Sequence, residues 1–306
     1  MKFSYSHLDE LDVIAGENDH LKIVVAPGAG GKIISIFNKP LKREFLWTQD
    51  ALSLKRLAPG TEYDSNFYGG MDELIPNDIP EKIDDIEYPD HGELWTTSLE
   101  YVISDQILSV FSKLKLSGLF YKKNIRLDNS APVIYLDYLI RNESDSVKKF
   151  LWKLHPALRI EAGDELHSAA QWARVVDPAY SRFKNFESFH WPWIEGTDAS
   201  LVPAKGNGVD FFFLWGTKIP EMNFQSGNGK YLFSIQYDSS IFPFQWYFAS
   251  YGGFMDHYTV VMEPCSSMPL SVNDAAKLGQ CSILKPGEKI ETTVRIFAGR
   301  NNASVL

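Results

Sequence analysis

Apolar and polar residues trade places with period two along much of the chain, the pattern of strands that bury one face. Segments 21–25, 32–38, 95–103, 108–116, 122–127 and 133–141 read this way, and further strands are expected at 147–155, 210–215, 231–237, 246–250, 258–263 and 291–298. A 3.6-residue apolar stripe is scarce: 49–57 and 161–173 are the best helical candidates, and both are short. Turn residues punctuate the strands, as at Pro27-Gly28-Ala29-Gly30-Gly31, Gly69-Gly70, Gly206-Asn207-Gly208 and Pro286-Gly287. Segments 57–95 and 168–205 lack alternation and are rich in Pro, Asp and Gly. Loops of that length in a compact protein are functional or disordered, and their aromatic residues favour ordered loops that build a cleft. No linker, charge block or internal repeat marks a boundary. The expectation is all-β: one large antiparallel sandwich with few short helices, a single domain over 1–306.

Composition sharpens this picture. The chain has 306 residues, 44% hydrophobic and 23% charged, enough for a sizeable core and unlike a disordered chain. Twenty Phe, 14 Tyr and 8 Trp favour strands and supply flat faces that stack on sugar rings. A net charge of −9 opposes nucleic acid and anionic membranes as partners. The longest apolar run, Phe211 to Trp215, is far short of the ~20 residues of a membrane helix. The first twenty residues carry acids and two histidines where a secretory signal needs an apolar stretch, so cytoplasmic residence is the expectation. Cys265 and Cys281 form neither a disulfide framework nor a metal-binding spacing.

Four places carry candidate chemistry. Asp90-His91-Gly92-Glu93-Leu94-Trp95 sets an imidazole and two carboxylates where a loop meets a strand; the alternative is a turn-capping histidine beside a solvated glutamate. Leu151-Trp152-Lys153-Leu154-His155-Pro156 puts a histidine at the end of an apolar strand that the proline is expected to stop, and alone it reads as a core histidine. Val260-Val261-Met262-Glu263-Pro264 holds a carboxylate in an apolar run, where it needs a partner or a use. Asp210 opens Phe211-Phe212-Phe213-Leu214-Trp215 and alone carries little weight. Phosphate-binding, zinc-protease, serine-hydrolase and calcium-loop motifs are absent from the sequence.

The order of these motifs resembles the aldose 1-epimerase (galactose mutarotase-like) family over most of the chain. The resemblance rests on Val24-Val25-Ala26-Pro27 with Gly30-Gly31-Lys32-Ile33-Ile34-Ser35, Gly69-Gly70-Met71-Asp72-Glu73-Leu74-Ile75-Pro76-Asn77, Asp90 to Trp95, His155-Pro156, Val261 to Pro264 and Leu284-Lys285-Pro286-Gly287-Glu288. It implies a β-supersandwich with the sugar on its concave face. It further implies that His91 binds a sugar oxygen, that His155 is the general acid and that Glu263 is the general base. Asp210 is the nearest match to the family's hydroxyl-binding aspartate. The family's arginine near the first histidine has no counterpart; Asp72 and Glu73 stand there, and Glu73 joins the substrate-binding candidates. Trp246 is the candidate stacking platform.

These residue types suit anomeric inversion, in which O1 loses a proton while the ring oxygen gains one, and the expected cofactors and metals are none. A base and an acid each contribute ~10²- to 10⁴-fold. A non-catalytic carbohydrate-binding or sensing protein of the same fold stays open as the second reading. A sugar-phosphate epimerase is a third, disfavoured by the overall charge. In every case the partner is a small sugar.

Overall fold

The computed structural model describes residues 1–301. Two antiparallel sheets form a sandwich. The larger runs, edge to edge, through Lys2–Leu8, Leu11–Glu17, Leu21–Ala26, Lys32–Asn38, Met71–Leu74, Lys153–Arg159, Tyr258–Cys265, Phe244–Tyr251, Gly208–Trp215, Trp172–Val175 and Phe189–His190, with Arg43–Glu44 paired beside Lys32–Asn38. The smaller runs through Glu165–Ser168, Glu221–Gln225, Tyr231–Gln236, Lys289–Arg300, Val133–Asn142, Leu119–Leu127, Ile107–Lys113 and Glu100–Ser104. Among the described residues the one α-helix is Val272–Lys277, started by the Ser271 side chain accepting from the Asp274 amide. No helix among them is long and apolar enough to cross a membrane.

The two sheets differ in their sequence signature because they differ in burial. Leu119–Leu127 alternates strictly between buried and half-exposed positions, the mark of a sheet with one wet face. Tyr258–Cys265 is buried at seven consecutive positions. Its Val260 and Met262 point into the core between the sheets, while Val261 and Cys265 belong to apolar clusters on the sheet's other face.

Four sequence expectations need correction. Segment 49–57 is loop, and 161–173 is a turn followed by Glu165–Ser168 and the start of Trp172–Val175. There the Asp164 carboxylate accepts from the Glu161 amide, and Gly163 at φ 89° turns the chain out of the helical path. Residues 94–96 form a 3-10 turn, so the strand expected over 95–103 begins only at Glu100. Pro156 does not stop its strand, which runs on to Arg159. The N-terminal hairpin was not among the expected strands; Lys2–Leu8 is an almost wholly exposed edge.

One charged pair bridges the sheets. Lys123 occupies an inward position of Leu119–Leu127, is fully buried, and places Nζ 2.7 and 2.9 Å from the two Glu73 carboxylate oxygens. Gly31 O accepts from the same ammonium, and the Tyr138 hydroxyl donates to Glu73. Lys123→Met alone strands a buried carboxylate and is expected to cost about 3–5 kcal/mol, whereas Lys123→Met with Glu73→Gln recovers much of the loss. Urea denaturation of the two variants checks this; equal destabilisation by both would contradict it.

Candidate active site

The candidate site lies on the face of the larger sheet that points away from the smaller one. Neighbouring strands in register bring side chains to one face at opposite positions. Asp72 pairs with His155 on one side of the strand Lys153–Arg159. On the other side the register that pairs Lys153 with Cys265 and Ala157 with Val261 sets His155 across from Glu263. Glu263 in turn pairs with Trp246. Between the two ends of that register the ladder lapses, and the sequence says why. The Ala157 amide points the other way, to Gly70 O, so the neighbouring position 156 faces the strand Tyr258–Cys265; the Ser266 amide reaches Trp152 O, so position 264 faces back. Both positions are proline and have no N–H to give.

Above this gap is a cavity of about 170 Å³ lined by Tyr63, Asp64, Phe67, Asp78, His91, Lys153, His155, Phe211, Phe248, Phe254, Val261 and Glu263. One side is apolar, built from Phe67, Phe211, Phe248, Phe254 and Val261, as suits a site that takes the flat faces of a ring. The polar groups come from the strand floor and from the connections on either side of Met71–Leu74, which supply Tyr63, Asp64, Asp78 and His91.

His91 sits at φ 57°, held by its amide donating to Asp78 O and by Nδ1 lying 2.8 Å from Asp90 Oδ1. Its ring stacks on Tyr63 at 3.9 Å between centroids and stands 6.3 Å from the His155 ring, nearly perpendicular. Glu93, far from being solvated, is buried and accepts from the Leu116 and Ser117 amides, which ties the loop to the smaller sheet's turn.

Glu263 is 1% exposed and His155 6%. Burial pushes the Glu263 carboxyl above the usual range against the opposing pull of Lys153. Burial, with the charges of Lys153, His91 and Lys32, pushes His155 well below the usual histidine value. Lys153 lies 2.7 Å from Glu263 Oε2 and 2.5 Å from Asp78 Oδ1. The two carboxylates outweigh its own desolvation and hold its pKa above the usual lysine range. Both oxygens are buried against that ammonium. No group of three or more His, Cys, Asp or Glu among the described residues is arranged to hold a metal ion.

Of the residues singled out in the sequence, His91, His155 and Glu263 line this cavity together. Asp210 and Glu73 do not. Each is offset by one residue from a position on the site face, and one residue along a strand exchanges faces. Phe211 lines the cavity, while Asp210 points into the sandwich, where Arg182 holds it at 3.0 Å through Nε. Glu73 likewise points inward to Lys123. Trp246 has the right parity but is fully buried under the Lys153 ammonium, 4.6 Å from its ring, and donates to Ser267 O. It is a floor beneath the charges and offers no platform to a ligand. Segment 168–205 contributes nothing here; part of it lines a separate cavity of about 560 Å³ with Trp191 and Ser200.

Lys153, Asp78, Tyr63 and Phe67 are site residues that the sequence reading passed over. Lys153 had a signal: it precedes His155 by two, so any strand that presents one presents the other. The loop residues had none. Gly92 fixes where the loop enters the sheet. At φ 76°, a Cβ there would lie 2.3 Å from Ile75 O. Gly92→Ala is expected to cost about 1–3 kcal/mol and to displace His91. Thermal unfolding and ligand affinity check it, and an unchanged midpoint with unchanged affinity would contradict this account.

No protein-family model matches the sequence, and no curated protein does. Solved structures match along nearly its whole length. The Slr1438 protein of Synechocystis sp. PCC 6803 superposes with a TM-score of 0.73 at 13% identity, covering 98% of this chain and 99% of its own. A galactose mutarotase-like protein of Clostridium acetobutylicum gives 0.72 at 13% identity, covering 98% and 99%. A galactose mutarotase related enzyme of Lactobacillus acidophilus gives 0.68 at 14%, covering 95% and 98%. The resemblance read from the motifs and the likeness of the coordinates therefore agree, and the chain has the galactose mutarotase-like fold.

Proposed function

We propose that the protein is a cofactor-independent aldose 1-epimerase acting on a neutral sugar. The observation that carries this reading is the placement of His155 and Glu263 on facing strands at the floor of one aromatic-walled cavity. In the ring-opening direction a base takes the O1 proton, C1=O1 forms, the C1–O5 bond breaks and O5 takes a proton from the acid. Rotation about C1–C2 and reclosure on the other face complete the inversion. Glu263 as base and His155, in the form that carries a proton on Nε2, as acid supply both transfers, and their roles exchange as the ring closes. Asp64, Asp78 and Glu263 face the cavity against one lysine, which disfavours a phosphorylated sugar.

Polarimetry of freshly dissolved α-sugars tests the proposal. Glu263→Gln and His155→Gln are each expected to lower kcat by about 10²- to 10⁴-fold. Rates equal to buffer for the wild type across a panel of neutral aldoses would overturn it. One feature favours a second reading, a sugar-binding protein without catalysis: Oε2 of Glu263 is already engaged by the Lys153 ammonium at 2.7 Å. That reading predicts saturable binding by calorimetry with no change in the rate of anomerisation.

The pH profile adds a further check. The couple works when it holds one proton between its two members, so activity falls as rising pH removes that proton. Lys153 lowers the pKa of both Glu263 and His155. Lys153→Met is therefore expected to move the alkaline limb of kcat to higher pH; a limb that stays in place or moves down contradicts the assignment of the pair.

A further inference from the structure

His155 has a second end that the acid–base chemistry does not use. Its Nδ1 lies 3.3 Å from the Tyr63 hydroxyl. That hydroxyl lies 3.1 Å from Asp72 Oδ2, and the same Asp72 oxygen receives the Lys32 ammonium at 2.8 Å. Lys32 completes the chain by donating to Gly69 O at 3.1 Å. Lys32, Tyr63, Asp72 and His155 are exposed by only 5, 3, 2 and 6%. Water does not compete strongly for these contacts.

A hydroxyl has one proton, and it cannot serve both neighbours. If Tyr63 gives it to His155, the Tyr63 oxygen and an anionic Asp72 oxygen face each other at 3.1 Å with nothing between them. That arrangement forfeits a charge-assisted hydrogen bond in a buried place and sets lone pairs against each other. If Tyr63 gives it to Asp72, the Tyr63 oxygen is free to accept from His155 Nδ1–H, and each close pair in the chain shares one proton. Only the second arrangement satisfies every member.

We infer that Lys32, Asp72 and Tyr63 form a positioning relay that holds neutral His155 with its proton on Nδ1, leaving Nε2 as the atom that exchanges protons in the cavity. Asp72, standing where the resembled family has an arginine, thus acts from behind the histidine. The same hydrogen bonds persist when Nε2 gains a proton, so the ring keeps its orientation through the cycle. Tyr63 also stacks on His91 and meets the His155 ring edge-on at 5.8 Å, so one side chain aligns both histidines.

This inference rests on the acid–base reading for its significance, while the tautomer is measurable without turnover. Nitrogen-15 NMR of histidine-labelled protein, with His155 assigned by its loss in His155→Gln, is expected to show a protonated Nδ1 and a pyridine-like Nε2. Tyr63→Phe keeps the ring but removes the hydroxyl. It is expected to mix the tautomers and lower kcat on the order of tenfold at nearly constant KM. A proton on Nε2 in the neutral wild type overturns the relay, as does a Tyr63→Phe protein whose tautomer and kcat are unchanged. The wild-type spectrum decides even if the variant folds poorly. A correct tautomer in a protein that turns over no sugar would sink the epimerase reading and leave the relay standing; turnover with the opposite tautomer would do the reverse.

Discussion

The central strands of the larger sheet are covered on both faces, and this governs the polar chemistry of the molecule. A charged side chain on such a strand cannot reach bulk water by choosing the other face, so it must be neutralised where it stands. Each carboxylate on these strands has a cation: Asp72 has Lys32, Glu73 has Lys123, Asp210 has Arg182 and Glu263 has Lys153. The cations come from other strands or from the loop after residue 176, so the pairs also tie distant parts of the chain together. Such pairs are a weak source of net stability and a strong penalty on mispacking.

The same constraint separates structural from functional charge. Glu73 has all its needs met by Lys123 and Tyr138, and it has no accessible surface toward the cavity. Glu263 is held by Lys153 through Oε2 and also lines the cavity. Both are buried glutamates beside lysines. What distinguishes them is that Glu263 borders the cavity and Glu73 does not.

Alternation revealed the smaller sheet well, because 122–127, 133–141 and 291–298 each have a wet face. It worked less well where both faces are buried: Met71–Leu74 was hidden in an expected loop, and 147–155 is split between two strands around Leu151-Trp152. Motif order identified His91, His155 and Glu263, which the folded chain gathers in one cavity. It failed for Asp210 and Glu73 because a motif match in a strand carries no parity, and parity decides which side of a sheet a residue serves. Trp246 fails for another reason, since depth beneath Lys153 is a property of packing.

The two prolines after the candidate acid and base bear on how the site is built. Proline is costly inside a sheet because it deletes a ladder hydrogen bond, and the natural sequence reading is that His155-Pro156 ends a strand. Here Pro156 and Pro264 delete bonds from the same junction, one from each strand, and the pairing that survives at Lys153–Cys265 and Ala157–Val261 brackets the gap. The cost falls between the two strands that carry the proton-handling side chains, while the outer ladders to Met71–Leu74 and Phe244–Tyr251 stay paired. Each strand is thus anchored by its outer neighbour. His155 and Glu263 are positioned by separate halves of the sheet and not by bonds to each other, which leaves the space between them to the ligand.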